Sequence, residues 1–228
     1  YQPELTCAHL VDVDEMRHHY GTNSSEAQAA IARMEDRVRG VWELMQRTPG
    51  MEEALLAVVS DHGQADVDRP VALEEQLDEM DMGGLCRVQS NGMSAFLFLT
   101  EAGRAQKERL IRGLTESQDA LGISHVYQAE ELRRIGCVST VDLAVEAAPG
   151  VVFEDGLPQA KREKATHGFG PGHPAEDCLF AVRGRGIREG VTLPSMPMRD
   201  VAPTLAGLMG IDLPQATGKD HSGDIRLE

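Results

Sequence analysis

Ala54-Leu55-Leu56-Ala57-Val58-Val59-Ser60-Asp61-His62-Gly63 decides how this chain is read. Six apolar residues in succession, ending at polar ones, fit a central strand of a mostly parallel sheet, covered by helices on both faces. The ends of such strands are where open α/β sheets build their binding crevices. Here the strand delivers a carboxylate and an imidazole to that edge. Neighbouring strand residues point to opposite faces, so Asp61 and His62 can serve one ion only if the chain turns, and Gly63 permits the turn. The bland alternative is an Asx turn with an incidental histidine.

Upstream, Leu5 to Val13 has strand character and ends at Asp14. Ser24-Ser25-Glu26 opens a helix whose apolar positions Ala30, Ile31, Met34, Val38, Val41, Trp42 and Met45 recur at helical spacing until Thr48-Pro49-Gly50 stops it. Downstream the texture changes. Val88 to Leu99 reads as a hairpin about Ser90-Asn91-Gly92, Arg104 to Leu121 as an amphipathic helix, and Ile123 to Val126 as a strand. This β–β–α–β stretch interrupts the strand–helix alternation, so residues 71–136 are expected to form a small α+β cap inserted into a core of residues 1–70 and 137–228. Val141–Val145, Gly150–Phe153 and Cys178–Val182 return to strand character. The last helix is expected from Arg199-Asp200 to Met209, with Asp200 as N-cap, Pro203 in the first turn and Gly210 past the end.

Composition sets the outer limits. The 228 residues suffice for one large α/β domain with an insertion, and aromatics at 4% leave the interior to Ala, Val, Leu, Ile and Met. With 22 Lys plus Arg against 37 Asp plus Glu the formal charge is -15, and the longest basic patch is Lys161-Arg162-Glu163-Lys164, so nucleic-acid binding through a basic face is excluded. Cys7, Cys86, Cys137 and Cys178 are widely spaced, without a zinc-ribbon or disulfide-scaffold pattern, and read as buried thiols of a reducing, cytoplasmic compartment. No apolar run approaches a membrane span. A chain that opens on Tyr1 rather than Met is expected to be a processed or truncated piece.

The chemistry lies with three histidine-bearing segments. Asp14 and His18, four apart, share one face of a helical turn and are within reach of one ion. Asp61-His62 forms the second pair, and His167-Gly168 sits in a Gly- and Pro-rich loop before the strand at Cys178. Zinc takes imidazole nitrogen and carboxylate oxygen together, and two such ions side by side clamp the attacking and leaving oxygens of a phosphoryl group. His19 reads as solvated or as supporting a ligand, His173 as surface, and His9, His125 and His221 as having no acidic partner at a suggestive spacing. Tyr20 reads as packing or as a stacking partner for a base.

Taken together, Asp14-Glu15-Met16-Arg17-His18-His19-Tyr20-Gly21, Ser60-Asp61-His62-Gly63, His167-Gly168-Phe169 and Asp200-Val201-Ala202-Pro203-Thr204 resemble the alkaline phosphatase superfamily, and most of all its type I phosphodiesterase/nucleotide pyrophosphatase branch. The resemblance implies an α/β fold, two divalent metal ions, expected to be zinc, and hydrolysis of phosphodiester or pyrophosphate bonds. It implies that Asp14, His18 and His167 hold one ion, and that Asp61 with His62 holds part of the second. In that family another Asp and a Thr or Ser nucleophile precede the first of these segments, and none of the thirteen residues before Asp14 offers that arrangement, Thr6 lying inside the expected strand. The chain is therefore expected to be the C-terminal portion of such an enzyme, with no catalytic nucleophile of its own and the missing N-terminal part as partner. The expected substrate is a small phosphate ester, nucleotide-like or otherwise, chosen by the cap and by loops near Tyr20. A phosphonate hydrolase, a phosphomutase and, less favoured, a sulfatase share the metal frame. Outside that superfamily, a non-catalytic metal-binding α/β domain remains as the other reading.

Overall fold

The computed structural model describes residues 3–154 and 163–227. Part of the expected basic patch, Lys161-Arg162, lies outside them. The chain forms two compact units: Tyr1–Met34 with His62–Asp177, and Glu35–Asp61 with Cys178–Glu228.

In the first unit, α1 (Asp12–Tyr20) is followed by the start of α2 (Ser25–Arg47), whose residues from Glu35 on belong to the second unit and whose entry is capped by Ser24: its Oγ accepts from Ala27 N at 3.1 Å. The buried face of α2 opens with Ala27 and Ala30, whereas Ile31, also counted in the apolar stripe, is exposed. Three strands follow as β2 (Ala65–Val71), β3 (Cys86–Asn91) and β4 (Ser94–Leu99), with α3 (Leu73–Glu79) between the first two. The hairpin turns at Gly92 and Met93, between the paired Asn91 and Ser94, one residue beyond the centre of the expected Ser90-Asn91-Gly92. The Arg104–Leu121 helix is three pieces, α4 (Glu101–Ala105), α5 (Lys107–Glu116) and α6 (Gln118–Leu121). Bonds from Leu110 N to Gln106 O and from Leu121 N to Ser117 O carry the helical course across both breaks, which is why the apolar periodicity hides them. Next come β5 (Ile123–Gln128), α7 (Ala129–Arg134), β6 (Leu143–Ala147), β7 (Gly150–Phe153) and β8 (Ala165–Thr166).

These strands make two sheets. An antiparallel one runs β3-β4-β6-β5, and a smaller one runs β7-β2-β8, with β2 parallel to β7 and antiparallel to β8. The core follows from strand alternation. Ala95, Leu97 and Leu99 of β4 join Leu73, Leu77, Leu110 and Leu114 of the helices and Val145 and Phe153, all buried. Phe96 and Phe98, on the opposite face of β4, pack with Leu132 of α7 and with Tyr127.

The second unit holds β1 (Leu55–Val59) and β9 (Phe180–Gly184), which pair antiparallel from Leu55↔Gly184 to Val59↔Phe180. Arg183 lies over the Trp42 ring at 4.7 Å. α8 (Val201–Met209) ends at Gly210 in the left-handed conformation, as the Gly position predicts. A short α9 (Ser222–Ile225) closes the described chain.

The α/β class with helices flanking sheets holds, while parallel pairing is confined, among the described strands, to β2 with β7. Three expectations change. β1 is antiparallel to β9, because an apolar run reports burial and not the direction of its partner, and Val59 is 42% exposed. Residues 5–11 form no strand: a strand exists by pairing, no described residue pairs with this segment, and Leu5, Leu10 and Val11 are exposed. Asp200 does not cap α8 with its side chain. It stands at the expected N-cap position as the last residue of a 3-10 turn (Met198–Asp200), but its carboxylate accepts from Lys219 N at 2.9 Å and lies 3.1 Å from His221 Nε2. Among the described residues no helix is long and apolar enough to cross a membrane.

Leu97 has no exposed surface at the centre of the antiparallel sheet. Leu97→Ala is expected to lower folding stability by about 2–5 kcal/mol in urea denaturation, and a loss below about 0.5 kcal/mol would show that this face is not the core.

Candidate metal centre

α1 has Asp12, Asp14 and Glu15 in its first turn and Arg17, His18 and His19 in its last, the arrangement that complements the helix dipole. One turn apart, Asp14 and His18 face each other, with Oδ1 and Nε2 3.3 Å apart. The other ring nitrogen of His18, Nδ1, lies 2.9 Å from the carbonyl of Ala165 and 3.1 Å from Glu163 Oε2. Both neighbours are acceptors, so a proton on Nδ1 serves them, while Nε2 is the ring atom turned toward the Asp14 carboxylate. Two lone-pair atoms at that distance need a cation or a proton between them. Asp14 is held in turn by Gln64, whose Nε2 donates to Oδ1 at 2.9 Å.

His167 reaches the same place along β8, which pairs with β2 through Ala65↔Thr166 and Asp66↔Ala165. Its carbonyl accepts from Met93 N at 3.1 Å, which fastens the loop to the β3–β4 hairpin. That approach leaves no room for side chains. A Cβ on Gly92 would stand 2.6 Å from His167 O, and one on Gly168, at φ +103°, would stand 2.5 Å from Asn91 O. The His167 ring meets the edge of His18 at 5.2 Å and stacks on His62 at 3.7 Å and 21°. Burial, then the neighbouring imidazoles of His62 and His18, hold His167 below its ordinary value of 6.5, with Asp14 and Glu176 acting in the opposite sense.

Asp14, His18 and His167 each place one ligand atom within 4.8 Å of the other two. Tetrahedral zinc with bonds of about 2.0–2.2 Å separates its ligands by about 3.3–3.6 Å, so the Asp14–His18 pair already has the required spacing, and the third donor stands within 4.8 Å of both. Two imidazoles, one carboxylate and backbone or amide partners behind them fit a divalent ion of the zinc type.

Of the five ligands expected from sequence, the structure thus brings three together and stacks His62 on His167, with His62 Nδ1 3.0 Å from Gly63 O. Asp61 belongs to the second unit, exposed at the bend after β1, where Ser60 N donates to Leu179 O and Leu179 N to Ser60 Oγ. Gly63 is required by close approach rather than by its dihedral angles: a Cβ there would stand 2.1 Å from Ala175 O. His173, expected at the surface, stacks on Phe169 at 3.6 Å and accepts from Ala175 N. His125 and His221, expected without acidic partners, lie 3.0 Å from Glu131 and 3.1 Å from Asp200. His19 meets Tyr20 edge to face at 6.3 Å, and Cys7 and Cys178, expected to be buried, are exposed, since the segments that carry them lie at the surface. Gln64 escaped sequence reasoning, since nothing marks a single Gln after a glycine as the support of a carboxylate fifty residues upstream.

A model of the type I phosphodiesterase / nucleotide pyrophosphatase family matches residues 1–169. No curated protein sequence matches the chain. Among solved structures, murine ectonucleotide pyrophosphatase/phosphodiesterase 5 superposes with a TM-score of 0.70 at 19% identity, over 90% of this chain and 54% of that one. An inactive threonine-to-alanine variant of the same murine protein, in complex with AMP, gives the same figures. The human protein gives 0.74 at 18% identity, over 94% and 56%. The chain therefore spans a little over half the length of these structures, and the likeness is one of fold.

Because the folded value of His167 lies below the unfolded 6.5, the unfolded chain binds the proton first as pH falls. The stability this group contributes is present above 6.5 and is lost as pH falls through the folded value. NMR titration of the metal-free protein is expected to place the His167 midpoint below 6.5, and a midpoint at or above it would contradict the packing described.

Proposed function

The chain belongs to the type I phosphodiesterase / nucleotide pyrophosphatase family, and we propose that it forms the metal-holding part of a hydrolase acting on phosphodiester or pyrophosphate bonds. The convergence of Asp14, His18 and His167 carries the reading. In the proposal these three hold one divalent ion, zinc, and Asp61 with His62 contributes to a second. When bound, such ions polarise phosphoryl oxygens and make water a nucleophile near neutral pH.

The chain's own residues do the positioning. Ala165 O fixes which His18 nitrogen is available. Gln64 turns Asp14 Oδ1 toward His18. The stack of His62 on His167 orients the third imidazole. The proposal assigns the nucleophile to a Thr or Ser outside these 228 residues. It is supported by the inactivity of the threonine-to-alanine murine relative and by the chain spanning 54–56% of the relatives' length. The residues 71–136 are proposed as the inserted cap of a core made by 1–70 and 137–228, with substrate choice in that cap. A nucleotide-like phosphate ester is the substrate class, supported by the AMP complex of the murine relative. A cytoplasmic setting belongs to the same proposal, and fractionation of expressing cells tests it.

Isothermal titration with zinc is expected to show one site tighter than the other, because the Asp61–His62 site lacks an anionic ligand that would compensate its charge. Two equally tight sites would contradict that ligand count. His167→Ala and His62→Ala are expected to lower the metal content measured by elemental analysis, and unchanged content in both would end the hydrolase reading.

A further inference from the structure

The loop after His167 is gripped by two carboxylates that no part of the metal reading uses. Glu176 Oε1 accepts from both Gly168 N at 2.7 Å and Phe169 N at 2.9 Å, the two backbone amides that directly follow His167. Glu146 Oε2 accepts from Gly170 N at 2.6 Å and from Tyr127 Oη at 2.9 Å. Charge-assisted hydrogen bonds to backbone amides are about twice as strong as neutral ones, and two on one oxygen define the peptide planes on either side of Gly168. Gly168 sits at φ +103°, a conformation open to glycine and closed to a residue with a Cβ, so the chain turns here without a side chain to fix it. Glu176 itself is well anchored. It closes the short 3-10 turn Pro174–Glu176, whose start is capped by His173 Nδ1 accepting from Ala175 N at 3.1 Å, while His173 stacks on Phe169. The same short stretch thus supplies both the carboxylate and a ring that covers the loop.

We infer that Glu176 is a positioning residue for the metal centre: by holding the Gly168 and Phe169 amides it sets the backbone from which His167 extends its imidazole toward Asp14 and His18. Glu146 secures the next amide and serves the loop, one step further from the ligand. The hairpin side of the loop is already fixed by Met93 N and the glycine contacts, so Glu176 is what holds the two amides next to His167 on the other side, where Glu146 reaches only as far as Gly170 N. The inference rests on the proposed metal reading, since it gives His167 the role of ligand.

The test uses the full chain, with zinc affinity by calorimetry and the visible absorption of the cobalt(II)-loaded protein. Removal of a group that orients a metal ligand costs about tenfold to a hundredfold in affinity. Glu176→Ala is expected to weaken zinc binding in that range and to alter the cobalt spectrum, whereas Glu176→Gln, which keeps an acceptor oxygen at the same reach, is expected to restore affinity to within about threefold and the spectrum with it. Should Glu176→Ala not fold, Glu176→Asp, one methylene too short to reach both amides, replaces it with the same expectation. Wild-type affinity in Glu176→Ala, or in Glu176→Asp where that replaces it, or equal loss in Glu176→Gln, overturns the inference. His167→Ala separates the two levels. If it loses zinc while Glu176→Ala does not, only the role of Glu176 falls. If it binds zinc as the wild type does, the metal reading falls as well.

Discussion

One double contact holds the candidate site together: His18 is tied twice to the strand that leads into His167. Its carbonyl accepts from Lys164 N at 2.7 Å and its ring nitrogen Nδ1 meets Ala165 O at 2.9 Å. Residues 147 apart in sequence are thereby set side by side. The backbone contact fixes where β8 runs past α1. The side-chain contact fixes which nitrogen of His18 remains to bind. Without the first, His167 has no defined distance from Asp14. Without the second, its partner imidazole offers the wrong atom.

Electrostatics give the arrangement its direction. His18, His62 and His167 crowd their rings beside one carboxylate, and for His167 burial and like neighbours oppose a positive charge. A group of lone pairs collected in this way is costly unless a cation compensates it, which is why such clusters more often report function than packing. The glycines fit the same account. Gly92 and Gly168 let two backbones touch where a side chain on either would force His167 away. The site is thus held by main chain on the hairpin side and by carboxylates on the other.

Much of this was legible in the sequence. The Asp14–His18 spacing became one helical turn, the helix α2 and the hairpin beside Asn91-Gly92 formed, although Ile31 and Val41 of the α2 stripe are exposed, and His167 arrived from its loop. What stayed hidden had long-range causes. The direction of β1 is decided by β9, whose paired residues lie more than a hundred positions away. The helix at 101–121 breaks where backbone geometry departs without disturbing the apolar period. Gln64 and Glu176 act through hydrogen bonds to a side chain and to amides, and neither leaves a pattern in residue types. Asp200 had the composition of an N-cap, yet its carboxylate turns to Lys219 and His221, because the returning chain offers a backbone donor and an imidazole in place of the helix end.

The central claim is that Asp14, His18 and His167 bind one ion, and anomalous X-ray scattering from zinc-soaked crystals tests it most directly. The account predicts a zinc peak about 2.0–2.2 Å from a carboxylate oxygen of Asp14, from His18 Nε2 and from a ring nitrogen of His167. A crystal saturated with zinc that shows no peak among these three side chains, or shows the ion held elsewhere, would contradict it.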